Sequence, residues 1–203
     1  MVDDLVEEIS SKWQFPKKKP EVPILLLMAG YQGSGKTTTL KSLQRDLGLI
    51  ITSPDEIRHK LFARGLPFSE DFVKTVNQTH AALIKKVGKT GYSFAVDSIM
   101  TPKRIEWLLK CLEDEGVTNY KVVKVLLNAP VDVLIDRVKT RPAMDNLYKG
   151  TVEELEASMK EHGELDPLAY DLVIDTSKAS LEDVVREIKK YTGLTNSVKT
   201  AQY

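Results

Sequence analysis

The chain has 203 residues, 42% of them hydrophobic, which suits one sizeable core and one domain better than two. Lys plus Arg and Asp plus Glu number 29 each, so the formal net charge is zero and the basic excess usual in proteins of duplex DNA or anionic membranes is missing. The single cysteine, Cys111, excludes an internal disulfide framework, and no apolar run reaches signal-peptide or membrane-spanning length, so a soluble, cytoplasmic protein is expected.

In residues 2–13, Val2, Leu5, Val6, Ile9 and Trp13 recur at helical spacing and predict a short amphipathic helix. Pro16, Pro20 and Pro23 in "QFPKKKPEVP" forbid regular helix, so this stretch is an extended linker, with Lys17–Lys19 as a solvated run rather than a phosphate contact. Residues 1–22 are therefore read as an N-terminal helix and linker, 23–194 as the domain, and 195–203 as a loose tail. "ILLLMA" (24–29) is a continuous apolar run, as expected for a strand buried on both faces of a parallel sheet. A helix follows from Gly35 to about Leu47, then a strand at 49–52, a helix from Asp55 to about Ala63, and a longer one over 69–89. Further strands are predicted at 92–99, 120–130 and 169–176, and helices at 102–116, 131–140 and 180–194, the last with Ser180 as N-cap. Cys111 falls among Ile105, Leu108, Leu109 and Leu112 and is assigned to packing. Strands alternating with helices indicate an α/β domain, with helices on both faces of a mostly parallel sheet.

Directly after the first buried strand comes "GYQGSGKT", Gly30 to Thr37, which matches G-x-x-x-x-G-K-[ST], the phosphate-binding P-loop. Gly30, Gly33 and Gly35 let the backbone turn its N–H groups inward where side chains would obstruct a phosphate. The helix that begins there adds its positive N-terminal end, so Ser34, Lys36, Thr37 and Thr38 join the nucleotide site. Lys36 reaches the β- and γ-phosphates, and the Thr37 hydroxyl suits Mg²⁺. A GTPase would need a base-reading N-K-x-D after a strand, and none occurs. A motor of the AAA type would be longer and carry further ATPase elements. Just past the second strand, "TSPDEIRHKLF" sets Asp55 and Arg58 at i and i+3, on one face of a helix start, where Asp55 could equally be a cap.

"GYQGSGKTTT", "SPDEIRHKLF", "YSFAVDSIMTPKR", "VLLNAPVDVLIDRVKTR" and "YDLVIDTSKASLEDVVREI" in this order resemble the small P-loop kinases. Polynucleotide 5′-hydroxyl kinase, zeta toxin, chloramphenicol phosphotransferase and gluconate kinase are the nearest groups, over about residues 22–194. The resemblance implies a P-loop NTPase fold, three layers α/β/α around a five-stranded, mostly parallel sheet with a helical lid. It implies that Asp55 is the general base toward an acceptor hydroxyl and that Arg58 holds an anionic or polar part of that acceptor. It places Asp97, ending the third strand beside the P-loop strand, near Mg²⁺ or its water shell. Arg137 and Arg141, spaced R-x-x-x-R before the lid, contact ATP and the transferring phosphate on closure. Arg104 in "TPKR" is a lesser candidate for acceptor contact. His59 is assigned to the surface, and His80 and His162 have no metal-site spacing.

Residues 142–167 form a polar insert with a short helix, suited to a lid, and the segment around 65–90 covers the acceptor, with Asn77, Gln78 and His80 as polar groups that a solvent-facing stripe explains as well. The expected activity is an ATP- and Mg²⁺-dependent kinase acting on a hydroxyl of a small or nucleotide-like molecule. A nucleic-acid 5′-hydroxyl is possible but disfavoured by neutral charge, a sugar-nucleotide acceptor of the toxin type is the near rival, and a nucleotide-binding regulator without phosphotransfer is the rival of another class. The acceptor, the oligomeric state and any role of residues 1–22 are left open by the sequence.

Overall fold

A computed structural model gives the protein's structure over residues 1–140 and 150–193. The apolar run after the proline linker forms strand β1 (Ile24–Ala29), with all six residues buried. β2 (Ile50–Thr52), β3 (Phe94–Asp97), β4 (Lys121–Asn128) and β5 (Leu172–Asp175) join it in one sheet of order β2-β3-β1-β4-β5, every pairing parallel. β1 is central because it alone is apolar at every position, whereas both ends of β4 and Val173 within β5 are exposed.

The period-two alternation of β1 divides the core. Leu26 and Met28 face α2 (Lys36–Leu47) and α8 (Leu181–Thr192) through Leu40, Leu43, Val184 and Ile188. Leu25 and Leu27 face the other way, among Ile84, Ile105, Leu108 and Leu134. Those residues come from α4 (Glu70–Gly88), α5 (Pro102–Glu113) and α6 (Val131–Thr140). The result is the three-layer α/β/α arrangement with helices on both faces.

A third cluster answers the question of the N-terminal segment. Leu5 and Ile9 of α1 (Val2–Ser10) are buried against Ile57, Leu61, Phe72 and Val76 of α4 and of α3 (Pro54–Ala63). Glu8 of α1 pairs with both Lys60 and Arg64, and these contacts hold its carboxyl below the usual range. The first helix is thus docked on the helix that carries Asp55.

Helix ends follow the sequence closely. Ser53, Ser69, Thr101 and Ser180 each accept an amide of the first turn they precede, and Ser180 with Asp183 completes a capping box. The described part of the lid region holds α7 (Val152–His162), capped by Thr151 and Glu154 and anchored by the buried Leu155. No described helix is long and apolar enough to cross a membrane.

Candidate active site

In a parallel sheet ligands bind beyond the carboxyl ends of the strands, and the conspicuous residues gather there. The loop leaving β1 has its glycines at positive φ, 135° at Gly30 and 94° at Gly35. At Gly30 a side chain is excluded twice: by that backbone angle, and because a Cβ would lie 2.3 Å from the Leu127 carbonyl oxygen. At Gly35 only the angle objects, since no atom lies within 4 Å of an added methyl. Gly35→Ala is expected to cost about 1–2 kcal/mol of stability, and Gly30→Ala more than that, because the oxygen is backbone and cannot swing away. Urea unfolding of both variants checks this; equal losses would show that the Leu127 carbonyl is not what keeps Gly30 bare.

Lys36 folds over the loop and donates to the carbonyls of Gly30 at 2.7 Å and Tyr31 at 3.0 Å. Thr37 donates its hydroxyl to Asp97 Oδ2 at 2.7 Å, although 60 residues separate them. Strand register makes this contact: Asp97 pairs with Met28, two residues before the loop begins. Burial pushes the Asp97 carboxyl above the usual range; Lys36 and the Thr37 bond pull it back, and the charge of Asp55 pushes it further. A hydroxyl and a carboxylate side by side are hard oxygen donors that fit Mg²⁺. Among the described residues no group of three or more His, Cys, Asp or Glu side chains gathers to hold a metal. This pair therefore suits a cation that takes its remaining ligands from phosphate and water.

Asp55 stands in the first turn of α3, its amide bonded to the Ser53 hydroxyl at 3.2 Å, and its carboxylate accepts from Arg58 Nη1. Its side chain is 63% exposed toward the mouth of a cavity of about 940 Å³. That cavity is lined by Gly33, Gly35, Lys36, Thr37 and Thr38 of the P-loop and by Asp55, Arg58, Arg104 and Trp107. Asp97, on which the charges of both Lys36 and Asp55 act, lines it as well, as do Glu154, Ser158, Glu161 and His162 of α7. The structure thus brings together the P-loop, Asp55, Arg58 and Asp97.

Arg137 lies against the P-loop, outside the residues that line this cavity. Its guanidinium donates to the Gly33 carbonyl at 3.2 Å, to Thr176 Oγ1 at 3.1 Å and to the Thr176 carbonyl at 2.7 Å. It braces the P-loop against the end of β5. Arg141 lies outside the described residues, as do 142–149 of the lid and the tail from 194. Two loop residues touch the segments that flank α7: the Tyr31 hydroxyl donates to the Gly163 carbonyl, and Gln32 packs so close to Gly150 that a Cβ there would meet its Oε1 at 2.4 Å.

The polar stripe on α4 is split. Asn77 is exposed and lines the cavity, Gln78 faces a surface groove, and His80 is buried at 1% exposure. Burial first, then the charges of Arg104 and Arg58, push the His80 pKa down to about 3 from 6.5; the Thr52 backbone opposes this without forming a bond of normal geometry. His80 is neutral in the fold and protonates near 6.5 when unfolded, so stability is lost as pH falls from 6.5 toward 3. Between about pH 7 and pH 5 the native protein should lose about 2 kcal/mol more than His80→Leu. Denaturant melts at the two pH values measure it, and parallel losses would remove His80 as the cause.

Residues 25–165 match the family described as AAA domain, which is more than half of the chain. The chain belongs to the AAA-domain family of P-loop proteins. A cytidylate kinase of Pyrobaculum aerophilum is 27% identical over 187 residues, covering 87% of this chain and 96% of the relative. An adenylyl-sulfate kinase of Shewanella halifaxensis is 27% identical over 186 residues, covering 86% and 83%. Among solved structures, a sugar kinase from Janibacter sp. HTCC2649 superposes with a TM-score of 0.62 at 17% identity, covering 88% of this chain and 99% of that one. The fold is therefore that of the small P-loop kinases, as the ordered motifs imply.

Trp107 and Phe68 both line the cavity of this AAA-domain protein, although the sequence singled out neither and held Phe68 only within the 65–90 segment expected over the acceptor. Trp107 follows Arg104 by three residues on α5, so helical spacing could have joined it to that arginine. Phe68 sits in a loop and has no periodicity to reveal it.

Proposed function

We propose that this protein is an ATP- and Mg²⁺-dependent kinase that transfers the γ-phosphoryl group of ATP to a hydroxyl of a small-molecule acceptor. What supports this above all is that Asp55 lines the same cavity as Lys36, Thr37 and Asp97, near enough for its charge to act on Asp97. Two relatives that are themselves kinases agree with phosphoryl transfer.

The loop amides and the N-terminal end of α2 bind the phosphates, and Lys36 turns from the loop carbonyls to the β- and γ-phosphate oxygens. Thr37 and Asp97 would hold Mg²⁺, which neutralises charge on the phosphate oxygens when bound. Asp55 takes the acceptor's hydroxyl proton as its oxygen bonds to the γ-phosphorus. The bond from that phosphorus to the bridging oxygen breaks, and ADP departs with the electron pair. Arg58 fixes the Asp55 carboxylate and offers its remaining N–H groups to the acceptor. Arg137 keeps the loop in shape, and α7 excludes water, with Arg141 assigned to closure over the phosphate.

The zero net charge favours a small acceptor over a nucleic-acid 5′-hydroxyl. ADP release measured with ATP, Mg²⁺ and a panel of hydroxylated metabolites tests the proposal. Acceptor-dependent turnover is the expected result. Nucleotide binding with no acceptor-dependent turnover across sugars, hydroxy acids, nucleotides and 5′-hydroxyl oligonucleotides would replace the kinase with a nucleotide-bound regulator.

A further inference from the structure

Arg58 and Arg104 line the same cavity, but they are differently satisfied. Arg58 is paired with Asp55. The Arg104 guanidinium has no carboxylate and no hydrogen-bond acceptor among the described residues; its ring neighbour is Trp107, 6.0 Å to the centroid. It is half-buried, and burial together with the like charge of Arg58 works against its charged form. Lys103 lines the same wall and adds a third positive group. A desolvated cation beside another cation is unfavourable unless a counter-charge arrives. The acids facing the cavity are committed or distant in role: Asp55 to Arg58, Asp97 to Thr37, and Glu154 and Glu161 on the lid side. The charges of Arg104 and Arg58 also reach the buried His80 and help to keep it neutral.

Two aromatic rings that line this cavity are open to solvent. Trp107 is 43% exposed and Phe68 70%, and both line the cavity. Large aromatic surface left open beside an unpaired guanidinium recognises a ring or apolar skeleton attached to an anion.

Resting on the kinase reading, we propose that the acceptor is an oxyanion: a hydroxylated compound whose phosphate, sulfate or carboxylate group lies between Arg104 and Arg58, with its ring or apolar part on Trp107 and Phe68. Arg104 is the residue that selects it, since its planar fork matches such a group in bidentate fashion and no acid among the described residues claims it. The proposal excludes neutral alcohols as good substrates. It also explains why Arg58 can serve the acceptor while tied to Asp55: the anion is anchored mainly by Arg104, and the hydroxyl is left to the carboxylate.

The site can be tested without turnover. The chain has two tryptophans, so Trp13→Phe leaves Trp107 as the reporter indole. In that background, with the P-loop saturated by a non-hydrolysable ATP analogue and Mg²⁺, phenyl phosphate should change the fluorescence and phenol should not. Arg104→Met should weaken phenyl phosphate binding about 10- to 100-fold, with Arg104→Lys between, and nucleotide affinity unchanged in both. Equal binding of phenol, or unchanged binding by Arg104→Met, overturns the proposal. Turnover separates this from the activity itself. Hydroxylated anions should exceed their neutral esters or dephosphorylated counterparts in kcat/KM, and Arg104→Met should raise acceptor KM while ATP KM holds. Anion binding with no turnover on any alcohol would remove the kinase reading and leave the anion site standing, whereas turnover that prefers neutral acceptors would do the reverse.

Discussion

Asp55→Asn is expected to lower kcat about 10²- to 10⁴-fold while leaving ATP affinity within about a factor of two. Asparagine has nearly the same shape and still offers an oxygen to Arg58, but it cannot take the acceptor's proton. The lost rate corresponds to about 3–5 kcal/mol of transition-state stabilisation. The competing explanation is structural, since a carboxylate in the first turn of α3 also interacts favourably with the helix N-terminus. That contribution is about 0.3–1 kcal/mol at an exposed position, far too small to account for the rate. Steady-state kinetics at saturating ATP and acceptor, with a thermal melt to show an intact fold, make the measurement. A kcat within a few-fold of the native enzyme would mean that Asp55 serves only as an acid in the first turn of the helix that Ser53 caps, and that another group, or none, takes the proton.

Lys36→Ala is expected to fail in both binding and rate. Nucleotide affinity should fall about tenfold or more, as a charge-assisted contact to phosphate disappears, and kcat about 10²- to 10³-fold. Without nucleotide the ammonium is held by the Gly30 and Tyr31 carbonyls, so the alanine variant also leaves those two loop oxygens without that donor. The pattern distinguishes the two variants: Asp55→Asn acts on chemistry alone, whereas Lys36→Ala acts on the ground state and the transition state together. Calorimetry with ADP and Mg²⁺ reads the first effect and turnover reads the second. Native affinity and native rate in Lys36→Ala would mean that the glycine loop does not hold the nucleotide.

Local sequence carried much of this site because the P-loop is itself a local device. Gly30 to Thr37 is contiguous, and the apolar run before it can only be a buried strand. Asp55 and Arg58 were legible as a pair because three residues of helix bring them to one face. Arg137 was legible as a residue of interest but not as a brace on Gly33, because the partner that holds it, Thr176, follows β5 and lies 39 residues away. His80 illustrates the opposite error. Beside Asn77 and Gln78 it reads as part of a polar face, yet it points inward with Val76, Leu83 and Ile84 of the same helix.

By itself, then, the sequence determined the phosphate loop, the alternation of strands and helices, and the acid–arginine pair at the start of α3. Each is decided within a few residues by backbone freedom, hydrophobic period or helical spacing. That β3 lies beside the P-loop strand was implied by the resemblance alone and by no local pattern; only the tertiary structure decided that Asp97 bonds Thr37, that β2 pairs on the far side of β3, and that α5 turns Arg104 and Trp107 toward the same cavity. Strand order depends on which apolar faces bury one another across many residues of chain, and no local period encodes that choice.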